Sequence, residues 1–217
     1  MALLPIFLKV AGKPVLVVGA GTLAVPRVAA LLELDAQVSV VAPEARAEIT
    51  TWANEGRIQW QQRRFEPQDV DGNLLVYAAT GKREVDRSVA QQARIRSVPC
   101  NAIDDPAYCD FYSPAVVRRG DLQIAISTNG QSPALAQQVR EQLERRFDPS
   151  WALRIAELGQ RRRQLIASMP AGAERNQVLH QLASDQLHAK KWYGLWQRTQ
   201  KLFLQWRKSK DDQVWLT

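Results

Sequence analysis

Residues 15–32 read VLVVGAGTLAVPRVAALL: four apolar residues run into a glycine turn, and a helical-looking stretch follows. An uninterrupted apolar run of this kind suits a strand covered on both faces, as in a parallel sheet. Gly19-x-Gly21-x-x-Ala24 fits the dinucleotide fingerprint in its G-x-G-x-x-A form. The first glycine permits a tight turn, the second lets a pyrophosphate approach the backbone, and a small third residue lets helix and strand pack closely. Free N–H groups and the positive dipole end at the helix start favour phosphate. Alone the motif is weak, and a plain strand–turn–helix is the competing reading. Pro26 falls four or five positions into the helical run 23–34, where proline begins to cost a backbone hydrogen bond. A shifted helix start or a small kink is therefore expected.

The alternation continues downstream. Residues 37–42 read as a second strand ended by Pro43, 45–55 as a helix, 58–63 and 73–79 as strands, 84–96 as a helix and 97–103 as a fifth strand. Strands alternating with helices of this length argue for an α/β protein with a Rossmann-like parallel sheet. A further strand at 122–127 leads into a helix at 134–147, and everything after Asp148-Pro149 reads helical, with a break at Pro170-Ala171-Gly172. The expected organisation is a dinucleotide-binding domain over 1–113, a small α+β segment over 114–150 and a helical region over 151–217.

Charge follows the same division. The 17 Lys and Arg of residues 1–150 balance 17 Asp and Glu, so the whole net charge of +7 sits in residues 151–217. Five of the seven tryptophans also fall there. In KKWYGLWQRTQKLFLQWRKSK, Trp192, Leu195, Trp196, Leu202, Phe203 and Trp206 recur at helical spacing, with a basic rim elsewhere. Packing on its own domain or on a dimer partner is the plain reading. A surface for a polyanionic ligand, a partner protein or a membrane surface is the sharper one. No nucleic-acid motif accompanies the charge. No apolar run approaches bilayer length, the N-terminus lacks a basic signal region, and two cysteines make no disulfide framework, so a cytoplasmic protein is expected.

Asn101-Ala102-Ile103-Asp104-Asp105-Pro106 closes the fifth strand. Ligands of open parallel sheets sit at the carboxyl ends of the strands, so Asp104 would border the cleft, where a carboxylate can accept a proton. Asp-Asp-Pro is also good turn chemistry, which leaves a simple turn acid as the alternative. Thr80 and Asn101, at the ends of the fourth and fifth strands, are further cofactor-side candidates. Glu44 is the acid nearest the tip of the second strand, and it gives little leverage on NAD against NADP. Cys100 and Cys109 read as a core thiol and a loop thiol. His180 and His188 lie far along the chain, so no resident metal site is expected.

Taken together, PIFLKVAGKPVLVVGAG, LLELDAQVSVVAP, WANEGRIQWQQRRFEPQDVDGNLLVYAAT and NAIDDPAYCDFYSPAVVRRGDLQIAISTNGQSPALA closely resemble the precorrin-2 dehydrogenase/sirohydrochlorin ferrochelatase module of siroheme synthases, over roughly residues 3–150. The resemblance implies a homodimer with a Rossmann domain, a dimerisation segment and a helical tail. It implies NAD-dependent oxidation of precorrin-2 to sirohydrochlorin, in many members followed by Fe2+ insertion. On its terms Asp104 serves both steps, Thr22, Leu23, Pro43 and Glu44 match cofactor-contacting positions, and Ser127-Thr128 match the serine turn on the substrate side. Arg118-Arg119 are candidates to pair with the carboxylates of the tetrapyrrole, or else a solvated basic pair at a strand end.

Several positions depart from the family pattern. Its Gly-Gly-Gly is Gly19-Ala20-Gly21, its Arg-Lys pair is Pro26-Arg27, its Ala-Thr-Asp-Asp is Ala79-Thr80-Gly81-Lys82, its asparagine is Asp86, and its Gly-Gly is Asn129-Gly130. These changes fall on the cofactor side and spare Asp104. They keep two rivals open: a non-catalytic tetrapyrrole- or nucleotide-binding protein, and a chelatase without dehydrogenase activity.

Overall fold

The structure, a computed structural model, describes residues 3–188. The Trp-rich basic face from Trp192 to Trp206 lies outside the described residues. The chain divides after Ser113 into two compact units.

The first unit is built on five parallel strands, β1 (Pro14–Val18), β2 (Gln37–Val41), β3 (Gln59–Gln61), β4 (Leu75–Ala78) and β5 (Cys100–Ala102), in the order β3-β2-β1-β4-β5. Helices α1 (Val25–Leu32), α2 (Ala47–Asn54) and α3 (Arg83–Ile95) run between them. Successive residues of the central strand face opposite layers. Val15 and Val17 join Val28 and Ile49 in one core, and Leu16 and Val18 join Val89 and Ala93 in the other. This two-sided burial is why β1 carries no polar side chain. Each such Val or Leu contributes about 1.5–3 kcal/mol on burial. The strand order reverses between β1 and β4, which opens a crevice at the carboxyl ends of those two strands.

The expected α/β alternation is formed, with strands trimmed at their ends; β3 and β5 keep only three residues each. Helix α1 begins at Val25, later than the apolar pattern suggests, and Pro26 becomes its second residue. A first-turn N–H has no intrahelical acceptor, so proline loses nothing there.

The second unit begins with an antiparallel hairpin, β6 (Ala115–Arg119) and β7 (Leu122–Ile126). Its two-residue connection, Gly120-Asp121, places a positive φ of 58° on glycine. Helices α4 (Pro133–Arg146), α5 (Trp151–Ser168) and α6 (Ala173–His188) follow. Ser132 caps α4 through a 3.2 Å bond from the Leu135 N–H, with Pro133 opening the helix. Strand β6 joins the apolar run before Arg118-Arg119 to the pair itself, which falls at the strand end. No described helix is long and apolar enough to cross a membrane.

Candidate functional site

The glycine loop leaves β1 pinned on both sides. Gly19 N–H donates to Val41 O at 2.9 Å, and Ala79 N–H donates to Val18 O at 2.8 Å. Gly19 has φ +107°, and a Cβ there would stand 2.5 Å from Ala79 O. Only glycine fits both constraints. Gly21 differs: nothing lies within 4 Å of where its Cβ would be. Ala24 is fully buried in the β1–α1 packing, as the third small residue of the fingerprint should be. Thr22 and Leu23 sit in the turn between Gly21 and α1. Arg46 N–H donates to Ala20 O at 3.0 Å, which draws the β2–α2 loop, with exposed Pro43 and Glu44, against the glycine loop. The close turn at Gly19, the open space over Gly21 and the start of α1 together suit a dinucleotide pyrophosphate.

Across the crevice, the β4–α3 loop is held by Asp86. Its Oδ1 accepts from Thr80 N at 3.0 Å and from Thr80 Oγ1 at 2.7 Å. Lys82 N–H donates in turn to Thr80 Oγ1 at 3.0 Å. Asp86 is buried, and burial pushes its carboxyl above the usual range against the hydrogen bonds from Thr80 and Gly81. Thr80 is thus a fixed post of the loop, and Gly81 brings the loop backbone alongside Leu23, whose Cδ1 lies 3.9 Å from the position of a Gly81 Cβ.

At the exit of β5 the chain turns over Ala102–Asp105, closed by Asp105 N–H to Ala102 O at 3.1 Å. Asp104 occupies this turn at φ +65° with its side chain exposed. Asp35, Ser97 and Asn129 share this left-handed conformation, which aspartate and asparagine enter more readily than other non-glycine residues, so the strain is modest. Asp105, its neighbour, is buried and accepts from Arg87 Nε at 2.7 Å and Arg83 Nε at 3.2 Å. The Arg87 bond holds the Asp105 carboxyl below the usual range against burial, and Arg83 adds to it. The Arg87 guanidinium also lies over the Tyr108 ring, 5.0 Å from its centroid. This Arg83–Asp105–Arg87 group was missed in the sequence; its signal was two arginines four apart at the start of a helix in a neighbouring crossover.

Asn101 is buried in β5, and its amide donates to Phe111 O at 2.7 Å, tying the returning segment to the strand. Cys109 donates to Ala102 O at 3.1 Å, and burial of Cys100 pushes its thiol up to about 12. Among the described residues no group of three or more His, Cys, Asp or Glu is arranged to hold a metal ion.

Four candidates lie in the second unit. Ser127 Oγ accepts from Asn129 N–H at 3.1 Å, and Thr128 Oγ1 accepts from Ser132 N–H at 3.1 Å, which together shape the turn before α4. Arg119 donates to Phe147 O at 2.6 Å and to Glu144 O at 3.3 Å, so its guanidinium satisfies the last carbonyls of α4. Arg118, adjacent on the strand, projects to the other face of the hairpin.

A family model described as putative NAD(P)-binding matches residues 6–115, and one described as sirohaem biosynthesis protein central matches residues 119–146. Siroheme synthase 1 of Aeromonas hydrophila is 35% identical over 184 residues, covering 85% of this chain and 40% of that protein. Siroheme synthase of Methylobacillus flagellatus is 41% identical over 144 residues, covering 66% of this chain and 31% of its own length. The chain thus spans less than half the length of these curated relatives. A solved structure titled "SirC, precorrin-2 dehydrogenase" superposes with a TM-score of 0.73 at 26% identity, covering 95% of this chain and 100% of that one. The chain therefore belongs to the NAD(P)-binding family represented by the first module of siroheme synthases and by that dehydrogenase.

Proposed function

We propose that the protein oxidises precorrin-2 to sirohydrochlorin with NAD as the hydride acceptor. The observation that carries the reading is Asp104: an exposed carboxylate in a strained turn at the carboxyl edge of the sheet that holds the glycine loop. Gly19 and Gly21 would admit the pyrophosphate, Thr22, Leu23 and Ala24 would present the start of α1 to it, and Pro43 and Glu44 would border the adenosine ribose. Thr80, fixed by Asp86, would wall the far side of the crevice. Bound there, NAD supplies a two-electron acceptor. Asp104 takes the proton that leaves the macrocycle as the new double bond forms, so one hydride equivalent and one proton are removed. Ser127 and Thr128 are also proposed as substrate contacts, with Arg118 as a carboxylate partner. Arg119 is left to its helix end.

Two free cysteines, with no disulfide between them, support a cytoplasmic setting. A homodimer is part of the proposal, as the family resemblance of the sequence implies. Fe2+ insertion at the same face, with iron as substrate, is the second reading; it is favoured by the exposure of Asp104, which leaves its carboxylate free to take up pyrrole protons.

Incubation of the pure protein with precorrin-2 and NAD is expected to give the sirohydrochlorin absorption change. Asp104→Ala should lower the rate by about 10²–10⁴-fold, the usual worth of a positioned proton acceptor. No change with wild-type protein sinks the dehydrogenase reading. Metal insertion from Fe2+ without NAD would select the chelatase alone, and tight sirohydrochlorin binding with neither reaction would select a binding protein.

A further inference from the structure

We infer that Arg83 and Arg87, held side by side by Asp105, form a guanidinium pair that binds peripheral carboxylates of the substrate beside Asp104. The inference rests on the tetrapyrrole reading above and names the residues that would recognise the substrate's acidic side chains. Arg83 is the first residue of α3 and Arg87 lies one turn further along the same face. Both give Nε to a single oxygen, Asp105 Oδ2. Each therefore keeps its two outer nitrogens, and the side chains are 68% and 41% exposed, so the outer N–H groups face solvent. A guanidinium anchored through Nε presents the rest of its fork in a fixed plane, the geometry that takes a carboxylate bidentately. Tyr108, whose ring lies under the Arg87 guanidinium, restrains it further.

Charge points the same way. Two guanidiniums against one buried carboxylate leave the group with one surplus positive charge. Asp104 precedes Asp105 in the same closed turn, so this surplus stands at the edge where an anionic proton acceptor must receive a polycarboxylate. The pair also accounts for a buried Asp105 beside an exposed Asp104: one acid positions the arginines, the other faces the substrate. Asp105 acts through the arginines and is a positioning residue.

The test is a titration of the full chain, with NAD present, by sirohydrochlorin. Arg83→Gln and Arg87→Gln should each raise Kd about tenfold, the loss of one charge-assisted contact, and the double variant more than either. The KM for precorrin-2 should rise in parallel while kcat and the Kd for NAD stay near wild type. The double Arg→Lys variant keeps the charge and the link to Asp105 but loses the fork, so its Kd should fall between wild type and the double Gln variant. Arg57→Gln, an exposed charge paired with Glu55 elsewhere on the first unit, is the control and should leave Kd unchanged. A double Gln or double Lys variant binding within twofold of wild type overturns the inference, as does an equal loss in Arg57→Gln. Wild-type turnover reports on the parent reading and the ratio of Kd values reports on the pair, so either can fail alone. Wild-type protein that neither binds sirohydrochlorin nor oxidises precorrin-2 removes both.

Discussion

Gly19 and Asp104 leave the same edge of the same sheet, one after β1 and the other after β5, and both have φ in the left-handed region, +107° and +65°. At Gly19 the conformation costs little, because there is no Cβ, and the space a side chain would need is filled by the backbone of Ala79. At Asp104 the chain places an acidic side chain where glycine would be easier, and leaves it exposed. The first residue serves the fold by letting two strand ends close on each other. The second shares its conformation with Asp35, Ser97 and Asn129 among the described residues, so exposure at the carboxyl edge, and not φ alone, is what sets it apart.

The largest effect should come from filling the first position. Gly19→Ala brings a Cβ to 2.5 Å from Ala79 O with a φ that L-residues avoid. A cost of about 3 kcal/mol or more is expected, which lowers Tm by roughly 6–12 °C in a chain of this size. A thermal melt within 2 °C of wild type, on the order of ordinary surface substitutions, would break the contrast.

Gly21→Ala sharpens it from inside the same loop. Its Cβ meets nothing and its φ is not positive, so Tm should move by no more than about 1 °C. The methyl would nevertheless occupy the space assigned to the pyrophosphate, and the Kd for NADH should rise about 10–100-fold, worth some 1.4–2.7 kcal/mol. Fluorescence titration of NADH checks this; unchanged affinity would mean that the open space over Gly21 is not the phosphate cradle.

The opposite outcome is expected at Asp104. Asp104→Gly relieves the left-handed strain but adds freedom to the unfolded chain, for a net gain of about 0.5–1 kcal/mol. Denaturant unfolding should show this modest stabilisation while precorrin-2 oxidation is lost. A destabilised variant would show that the Asp104 side chain supports the turn and is not merely tolerated there.

How much of this could be read from the sequence follows from the range of the interactions. The glycine loop is local: strand, turn and helix lie within residues 14–32, and the tight turn at Gly19 and the close packing of a small residue at Ala24 were legible. The start of α1 was not, since the apolar spacing around Leu23 reads as helix, whereas a start two residues later, at Val25, puts Pro26 in the first turn. Asp104 was legible as a strand-end acid, but not its positive φ, which depends on the closure of the Ala102–Asp105 turn. The Arg83–Asp105–Arg87 group joins residues 22 and 18 positions apart, and only the placement of α3 beside β5 makes them neighbours. Arg119 shows the same limit in the second unit: adjacent basic residues invite an anion-binding reading, while the C-terminus of α4, 28 residues downstream, takes one of them.

The smallest effect concerns the acid behind Thr80. Burial raises the carboxyl pKa of Asp86 above its ordinary value, even though Thr80 and Gly81 hydrogen bonds favour the charged form. The folded state then binds this proton more tightly than the unfolded chain, so stability falls as pH rises from the ordinary carboxylate range through the raised value. The contribution is fully present below that window and lost above it. Asn keeps an oxygen for both Thr80 donors and carries no charge, at the cost of the Gly81 contact. Asp86→Asn should therefore raise Tm by about 2 °C at pH 7 and lose that advantage, or reverse it, as pH falls toward the ordinary carboxylate value. Melts of both proteins across that range decide it. A Tm difference that does not change with pH would show that the Asp86 charge is no burden to the fold.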